Sequence, residues 1–477
     1  MKKRLMLRGL AVCLIIALFF VQDVSVFANN EISVPAIAPV LPTAEAMPCN
    51  TAAANLLLAK QAAAPNAAPP LLSTKAVSVI EAAAIPAQYR QVDAFANTTN
   101  HKGLQGMTSK EYGGQHTLLN LWIDSYVDDE DPGTFGYCWP YQYNGKTFYF
   151  DLSGIEMFME IIRDLNRQNI SVSMVFLLRY TEGREFLIDE AARVPGYKYY
   201  APATTGDGGE AMKAFFEFFL WRCSAWGASV DNFILGNEIN NPNAWHYSGT
   251  LNPATVAAKY AAAFCNMYNI VRTYTSISRC SISLDHNWTH TDEGREISGR
   301  SMLHYFNDAL EALQPGVEWC IAYHLYPAIM YNTAIWRWSG YNTGSPNAMF
   351  VDGANLHVLT DYVRDTFGAQ HRIMLTEQGF CLYNNNEAYQ ATALAITYYA
   401  AKYDPMVDCF ILNCDSSEDP RLNFSIAGHL ADVVYAMLDD GNPEAQAKIE
   451  QLILETSGRT VNELVPNYGI EPVKPSI

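Results

Sequence analysis

The sequence predicts an α/β chain built as a (β/α)8 barrel, and three observations carry that expectation. Eight short apolar runs alternate with segments of helical periodicity between about residues 100 and 440. The runs are continuously apolar rather than alternating, as strands buried on both faces of a parallel sheet are. Polar and acidic residues collect where the runs end, and the ends of its strands are where a parallel barrel keeps its chemistry. A doubly wound open sheet is the structural alternative, but no GxGxxG follows any of the strands.

In chain order, strands are predicted at 102–106, 117–123, 171–178, 232–236, 281–285, 319–324, 372–375 and 407–412. The first helix, 151–168, places Ile155, Phe158, Met159, Ile162 and Leu165 on one face. Further helices are read at 209–226, 253–274, 295–313, 353–367, 386–402 and 427–438. Pro253 opens its helix, where the missing N–H costs nothing. An amphipathic helix at 443–456 is expected to pack on the barrel as a tail rather than form a domain. The connections after the second, third and sixth strands (125–150, 180–208 and 326–352) are long, as loops that build a cleft are. The last of them carries Tyr331, Trp336, Trp338 and Tyr341, which serve either as a ligand-stacking wall or as a small local core.

The N-terminus reads as a secretory signal peptide over residues 1–28. Lys2, Lys3 and Arg4 are followed by an apolar run at 10–21, with Val26-Phe27-Ala28 at the cleavage position. No other stretch approaches the roughly 20 apolar residues of a membrane span. Residues 29–73, rich in Ala and Pro, read as a linker. The folded domain is assigned to 74–477, its start falling between 74 and 100. The formal net charge of −18 argues against nucleic acid and anionic membrane as partners. Of ten cysteines, Cys13 leaves with the signal; the other nine show no framework spacing and no CxxC, and Cys265, Cys320 and Cys409 read as buried small hydrophobes.

The fourth strand runs Phe233-Ile-Leu-Gly-Asn-Glu238, and the seventh runs Arg372-Ile-Met-Leu-Thr-Glu377. Strands four and seven lie across an eight-strand barrel from one another, so Glu238 and Glu377 can meet over its mouth. Two carboxyls so placed are the minimum equipment for glycosidic bond cleavage, one protonating the leaving oxygen and one attacking the anomeric carbon. His286, Trp288, Asn120, Asn413 and Asp285 also stand near strand ends and are candidates to line a cleft, with Trp288 either stacking on a ligand or capping the barrel mouth; Asp124 and Asp415 either bond ligand hydroxyls or are solvated loop starts or helix caps. A metal site built from His324, His286, Asp285 and Asp124 is conceivable on paper, but neither HxH nor HExxH spacing occurs, so no metal and no cofactor are expected.

Gly236-Asn237-Glu238, His324-Leu325-Tyr326-Pro327 and Thr376-Glu377-Gln378-Gly379, ending the fourth, sixth and seventh strands, resemble the retaining glycoside hydrolases of the cellulase and endo-glycanase barrel superfamily. The run Asn144-Gly-Lys-Thr-Phe-Tyr-Phe150 and the strand order are similar to a secreted bacterial cellulase-like group. The resemblance covers about residues 100–440. It implies Glu238 as acid/base, Asn237 as its partner at the sugar 2-hydroxyl, Glu377 as nucleophile, and His324 and Tyr326 in the site, with Tyr326 bonding the nucleophile. The sequence departs from that pattern in three places. Ile239 replaces a frequent Pro; Asn413-Cys-Asp-Ser stands where many members end the eighth strand with Trp; and the second strand lacks a common Arg, although Arg179 follows the third. The expectation is a secreted, monomeric hydrolase of a poly- or oligosaccharide, with a catalytically inactive carbohydrate-binding barrel as the competing class.

Overall fold

Eight parallel strands close on themselves: β1 (Lys102–Leu104), β2 (His116–Trp122), β3 (Ser171–Leu177), β4 (Asn232–Leu235), β5 (Arg279–Leu284), β6 (Cys320–Tyr323), β7 (Ile373–Gln378) and β8 (Val407–Leu412). Each pairs with its neighbours in sequence, and β8 returns to β1. The computed structural model describes residues 89–90, 92–128, 138–291, 296–338, 340–414 and 420–473. The expected signal segment 1–28, the linker 29–73 and Asp415 lie outside the described residues.

The closure is tightest at β1. Gly103 faces both Ile411 and His116, and a Cβ there would sit 2.7 Å from the His116 carbonyl oxygen. Inside the barrel, Leu118, Val175, Leu177, Ile234, Ala322, Met374, Cys409 and Ile411 form one cluster. Below it lies a polar layer: Ser281 Oγ donates to Asn232 Oδ1 at 2.6 Å and Asn232 Nδ2 to Ser173 Oγ at 3.2 Å. The remaining strand positions face the helices, which is why the strands read as unbroken apolar runs.

Among the described residues, seven helices cover the barrel: α1 (Leu152–Arg167), α2 (Gly206–Trp226), α3 (Pro253–Tyr274), α4 (Gly299–Leu313), α5 (His357–Thr366), α6 (Glu387–Lys402) and α7 (Leu430–Met437). Their starts follow capping chemistry. Asp151, Asn252, Ser298 and Asn386 each accept from a backbone N–H of the first turn of α1, α3, α4 and α6. Only a short 3-10 turn, Ser109–Tyr112, joins β1 to β2. The tail helix α8 (Pro443–Ser457) buries Ile449 and Ile453 in the main core, as its amphipathic pattern predicts.

One feature departs from expectation. The segment after β2 contains a three-stranded antiparallel sheet, Val127–Asp128, Cys138–Tyr143 and Lys146–Asp151. The hairpin turns at Asn144-Gly145, both left-handed (φ 48° and 78°), the pairing that a two-residue hairpin favours. This sheet covers the outside of α2. Phe218 stacks on Phe150 at 4.6 Å on one side, while Phe216 meets Phe176 of β3 at 5.1 Å on the other. Covered on both sides, α2 is apolar nearly all round.

The floor of the barrel is closed by charge and by a plug. Asp408 accepts from Arg372 Nη2 at 2.6 Å and lies 2.9 Å from Arg279 Nη2; Arg279 Nη1 also donates to Asp93. Phe95 lies under the Arg279 guanidinium, 4.1 Å from its centre, and belongs to the barrel-interior cluster. Arg279, Arg372 and Asp408 are all buried. Removing one partner of a buried pair strands the other charge, a loss of about 3–5 kcal/mol. Asp408→Ala is therefore expected to lower the free energy of urea unfolding by about that amount. A loss near zero would show that the floor pair does not hold the barrel.

Candidate active site

Two irregularities in the strands place the carboxylates. β7 pairs with β8 at Met374↔Cys409 and Leu375↔Phe410, then next at Gln378↔Leu412, so beyond Leu375 β7 carries one extra residue. Strict alternation from the inward Met374 would turn Glu377 outward. The bulge turns it inward and leaves Gln378 facing the helices, as re-aiming a side chain is a common use of a bulge. On β4 the strand ends in two left-handed residues, Gly236 (φ 72°) and Glu238 (φ 41°). A Cβ on Gly236 would lie 2.6 Å from His246 Nδ1, so any other residue there would have to displace the His246 ring. The turn swings Glu238 back over the mouth.

There His324 stands between the two acids. It continues the inward face of β6 and is fully enclosed. Its Nδ1 lies 2.8 Å from Glu238 Oε1 and 4.0 Å from Glu377 Oε2. Those two oxygens are therefore less than about 7 Å apart, within reach of the roughly 5–9.5 Å at which glycosidase carboxyl pairs operate. Tyr326 Oη donates to Glu377 Oε1 at 2.5 Å, and Asn413 Nδ2 donates to the Tyr326 oxygen at 3.0 Å and to Glu377 Oε1 at 3.4 Å.

Burial and neighbouring charge shift three of these groups. Burial pushes the Glu238 carboxyl above the ordinary range; the hydrogen bond and charge of His324 pull it down, and the charge of Glu377 pushes it up again, with a net rise. For His324, burial opposes the charged ring, but Glu377, Glu238 and Asp285 outweigh it and hold the pKa above the usual histidine value. Burial, then the Glu377 charge, keep the Tyr326 phenol protonated and donating.

The structure brings Glu238, Glu377, His324, Tyr326 and Asn413 together. Asn237 is half-buried beside Glu238, and Asn120 lies half-buried on β2 with the parity of the inward Leu118. His286 sits behind Tyr326, ring centres 6.4 Å apart, and is held neutral, its pKa pushed to about 3 by burial and by His290 and His324. Trp288 corrects the expectation of a cleft residue. Its side chain is wholly buried, packs edge-on against Tyr362 and donates to the Pro346 carbonyl, so no ligand face is left. Asp124 is likewise structural: its carboxylate accepts from Arg179 and Thr181. The aromatic residues of the loop after β6 divide. Trp336 packs on Tyr389, whereas Tyr331 and Tyr341 are exposed.

Three aromatic residues at the mouth escape sequence reasoning. Tyr199 is buried within the field of Glu377 and bonds Trp122, and Trp245 lies 5.9 Å from the Tyr199 ring. Arg179, paired to Asp124, lies over Trp122. Nothing in Tyr197-Lys-Tyr-Tyr200 distinguishes Tyr199 from its neighbours. Trp122 carries a weak signal, its inward parity on β2.

A sequence model for a family described as "Family of unknown function (DUF5722)" matches residues 94–431, the span that contains the barrel and every site residue. The chain belongs to that family. No curated protein matches it. Among solved structures, the chain is similar to a hyperthermophilic beta-glucosidase from Pyrococcus furiosus (10% identity, 74% of this chain and 86% of that one, TM-score 0.46). It is also similar to a family 39 glycoside hydrolase from Bacteroides cellulosilyticus WH2 (15%, 73% and 64%, TM-score 0.45) and to the Ignisphaera aggregans GH53 catalytic domain (14%, 74% and 95%, TM-score 0.37).

Among the described residues, no helix is long and apolar enough to cross a membrane, and no group of three or more His, Cys, Asp or Glu side chains is placed to hold a metal ion. Cys223, Cys265, Cys280, Cys320 and Cys381 are buried free thiols.

The placement of His324 has a direct test in a proton NMR titration of its imidazole. Its pKa is expected above the roughly 6.5 of a free histidine, and Glu238→Gln is expected to lower it. A folded-state value above the unfolded one adds stability at pH below the unfolded value, and that stability is lost as pH rises through the folded value. A titration at or below the free value would contradict the bracketing by two carboxylates.

Proposed function

We propose that this protein is a secreted retaining glycoside hydrolase that cleaves O-glycosidic bonds in a poly- or oligosaccharide by double displacement. The observation that carries the reading is the Glu238–His324–Glu377 bracket at the mouth of the barrel. Secretion rests on the signal pattern of residues 1–28.

The two carboxyls have unlike surroundings, as the two roles require. Glu377 accepts from Tyr326 and Asn413. These bonds fix the position of the carboxyl that is to attack. Glu238, raised by burial, holds a proton to give. In the first step Glu238 protonates the glycosidic oxygen as Glu377 bonds the anomeric carbon, and the alcohol leaves. In the second, Glu238 removes a proton from water, which displaces Glu377 and releases the sugar with its configuration retained. His324 can donate from Nδ1 to Glu238 Oε1 in either protonation state of the acid, and the bond strengthens as Glu238 becomes charged.

Two measurements test the assignment. An activated 2-deoxy-2-fluoro glycoside of the accepted sugar is expected to label Glu377, and Glu377→Gln to abolish labelling, while NMR of the first-formed product shows the retained anomer. An inverted product would overturn double displacement; glycan binding with neither label nor turnover would leave the inactive binding barrel. The second is the pH profile. Turnover requires protonated Glu238, so kcat/KM falls as pH rises through its pKa. His324→Leu removes the donor that pulls this value down, so the alkaline limb is expected to move to higher pH. A limb that does not move would separate His324 from Glu238.

A further inference from the structure

We infer that Ser283, Asn240 and Asp285 form a lock that holds Glu238 in its left-handed backbone conformation, making all three positioning residues for proton transfer. The kinetic part of this inference rests on the glycosidase reading above. A non-glycine residue with φ of 41° is held against a cost of about 1–3 kcal/mol, and such strain persists only where the surroundings over-determine it.

The surroundings here belong to β5. Regular pairing of β4 with β5 ends at Leu235↔Ile282. Beyond it, Ser283 takes hold of two successive amides. Its Oγ accepts from Glu238 N–H at 2.9 Å, and its carbonyl accepts from Ile239 N–H at 3.0 Å. One residue further on, Asn240 and Asp285 exchange hydrogen bonds: Asn240 Nδ2 donates to Asp285 Oδ1, and Asp285 N–H donates to Asn240 Oδ1 at 3.0 Å. Asn287 fills the rest of the Asp285 carboxyl, from its N–H at 2.9 Å and its Nδ2 at 2.7 Å. The Asn240 carbonyl in turn accepts from Ile297 N–H at 2.7 Å, which ties the turn to the segment leading into α4.

Ser283, Asn240 and Asp285 are all buried. A buried carboxyl is costly unless its oxygens are bonded. Here one compensating donor, Asn240 Nδ2, belongs to the turn itself, and Asn287 holds the carboxyl in place to receive it. The hydrogen bonds run from this set to the backbone of the Glu238 turn, not to its carboxyl. The set therefore governs where the acid stands rather than what it touches. With the lock opened, Glu238 relaxes toward negative φ and its carboxyl leaves His324.

The test is a crystal structure and a kinetic profile of Asn240→Ala, with Ser283→Ala as a second variant should the first fail to fold. The structure is expected to show Glu238 at negative φ with its hydrogen bond to His324 lost. A misplacement on this scale is expected to lower kcat about 10²-fold with KM within about threefold, and to move the alkaline limb of the pH profile. Ser283→Thr, which keeps the acceptor, is expected to retain most of the rate. Glu238 still at positive φ against His324 overturns the lock, and a relaxed Glu238 with kcat unchanged overturns its positioning role. If the wild-type protein turns over no glycoside, the glycosidase reading fails, and the backbone of Glu238 in the variant still decides whether the lock exists.

Discussion

The site depends on one enclosed imidazole between two carboxyls. A buried carboxylate is expensive, and two close together repel. His324, 2.8 Å from Glu238 and 4.0 Å from Glu377, offsets both penalties at once. It hydrogen-bonds one acid and places partial or full positive charge beside the other. The remaining groups then divide the labour. Tyr326 and Asn413 bond Glu377, while desolvation acts on Glu238. Two identical side chains thus acquire unequal surroundings from their neighbours alone, as the proposed acid and nucleophile would need.

Much of this was legible in the chain. The barrel follows from eight buried runs with helices between them, and all eight strands appear within a few residues of the positions read from the sequence. Glu238, Glu377, His324 and Tyr326 sit at strand ends in recognisable company, and they do converge. The failures share a cause. Trp288 lies four residues after a strand, close enough to suggest the mouth, but its direction is set by packing against Tyr362 that no spacing encodes. Tyr199 comes from the middle of a long loop whose path is fixed by tertiary contacts. The antiparallel sheet was the most readable of the misses, since Asn144-Gly145 between alternating residues is a hairpin signal.

The residues that matter most sit where regular geometry breaks. A bulge turns Glu377 into the barrel, and two left-handed residues turn Glu238 over it. Neither irregularity can be inferred from hydrophobic periodicity, which describes the regular part of a strand. Local rules fail at functional positions because function asks for a direction that the regular strand does not supply, and neighbouring structure must hold that direction. On β4 the holding structure is the end of β5, where Ser283 takes the Glu238 amide and Asp285 bonds the Asn240 side chain.

The floor plug carries a consequence for how the molecule is presented. Tyr89 bonds the Val230 backbone just before β4, Arg90 pairs with Asp231, and Phe95 fills the barrel from below. The polypeptide thus joins the barrel at the end opposite the carboxyls. A fusion joined ahead of Tyr89 is therefore attached on the far side from the opening. Immobilised through that end, the protein turns its opening toward the medium, where an extended polymer too large to diffuse around the anchor could still approach it.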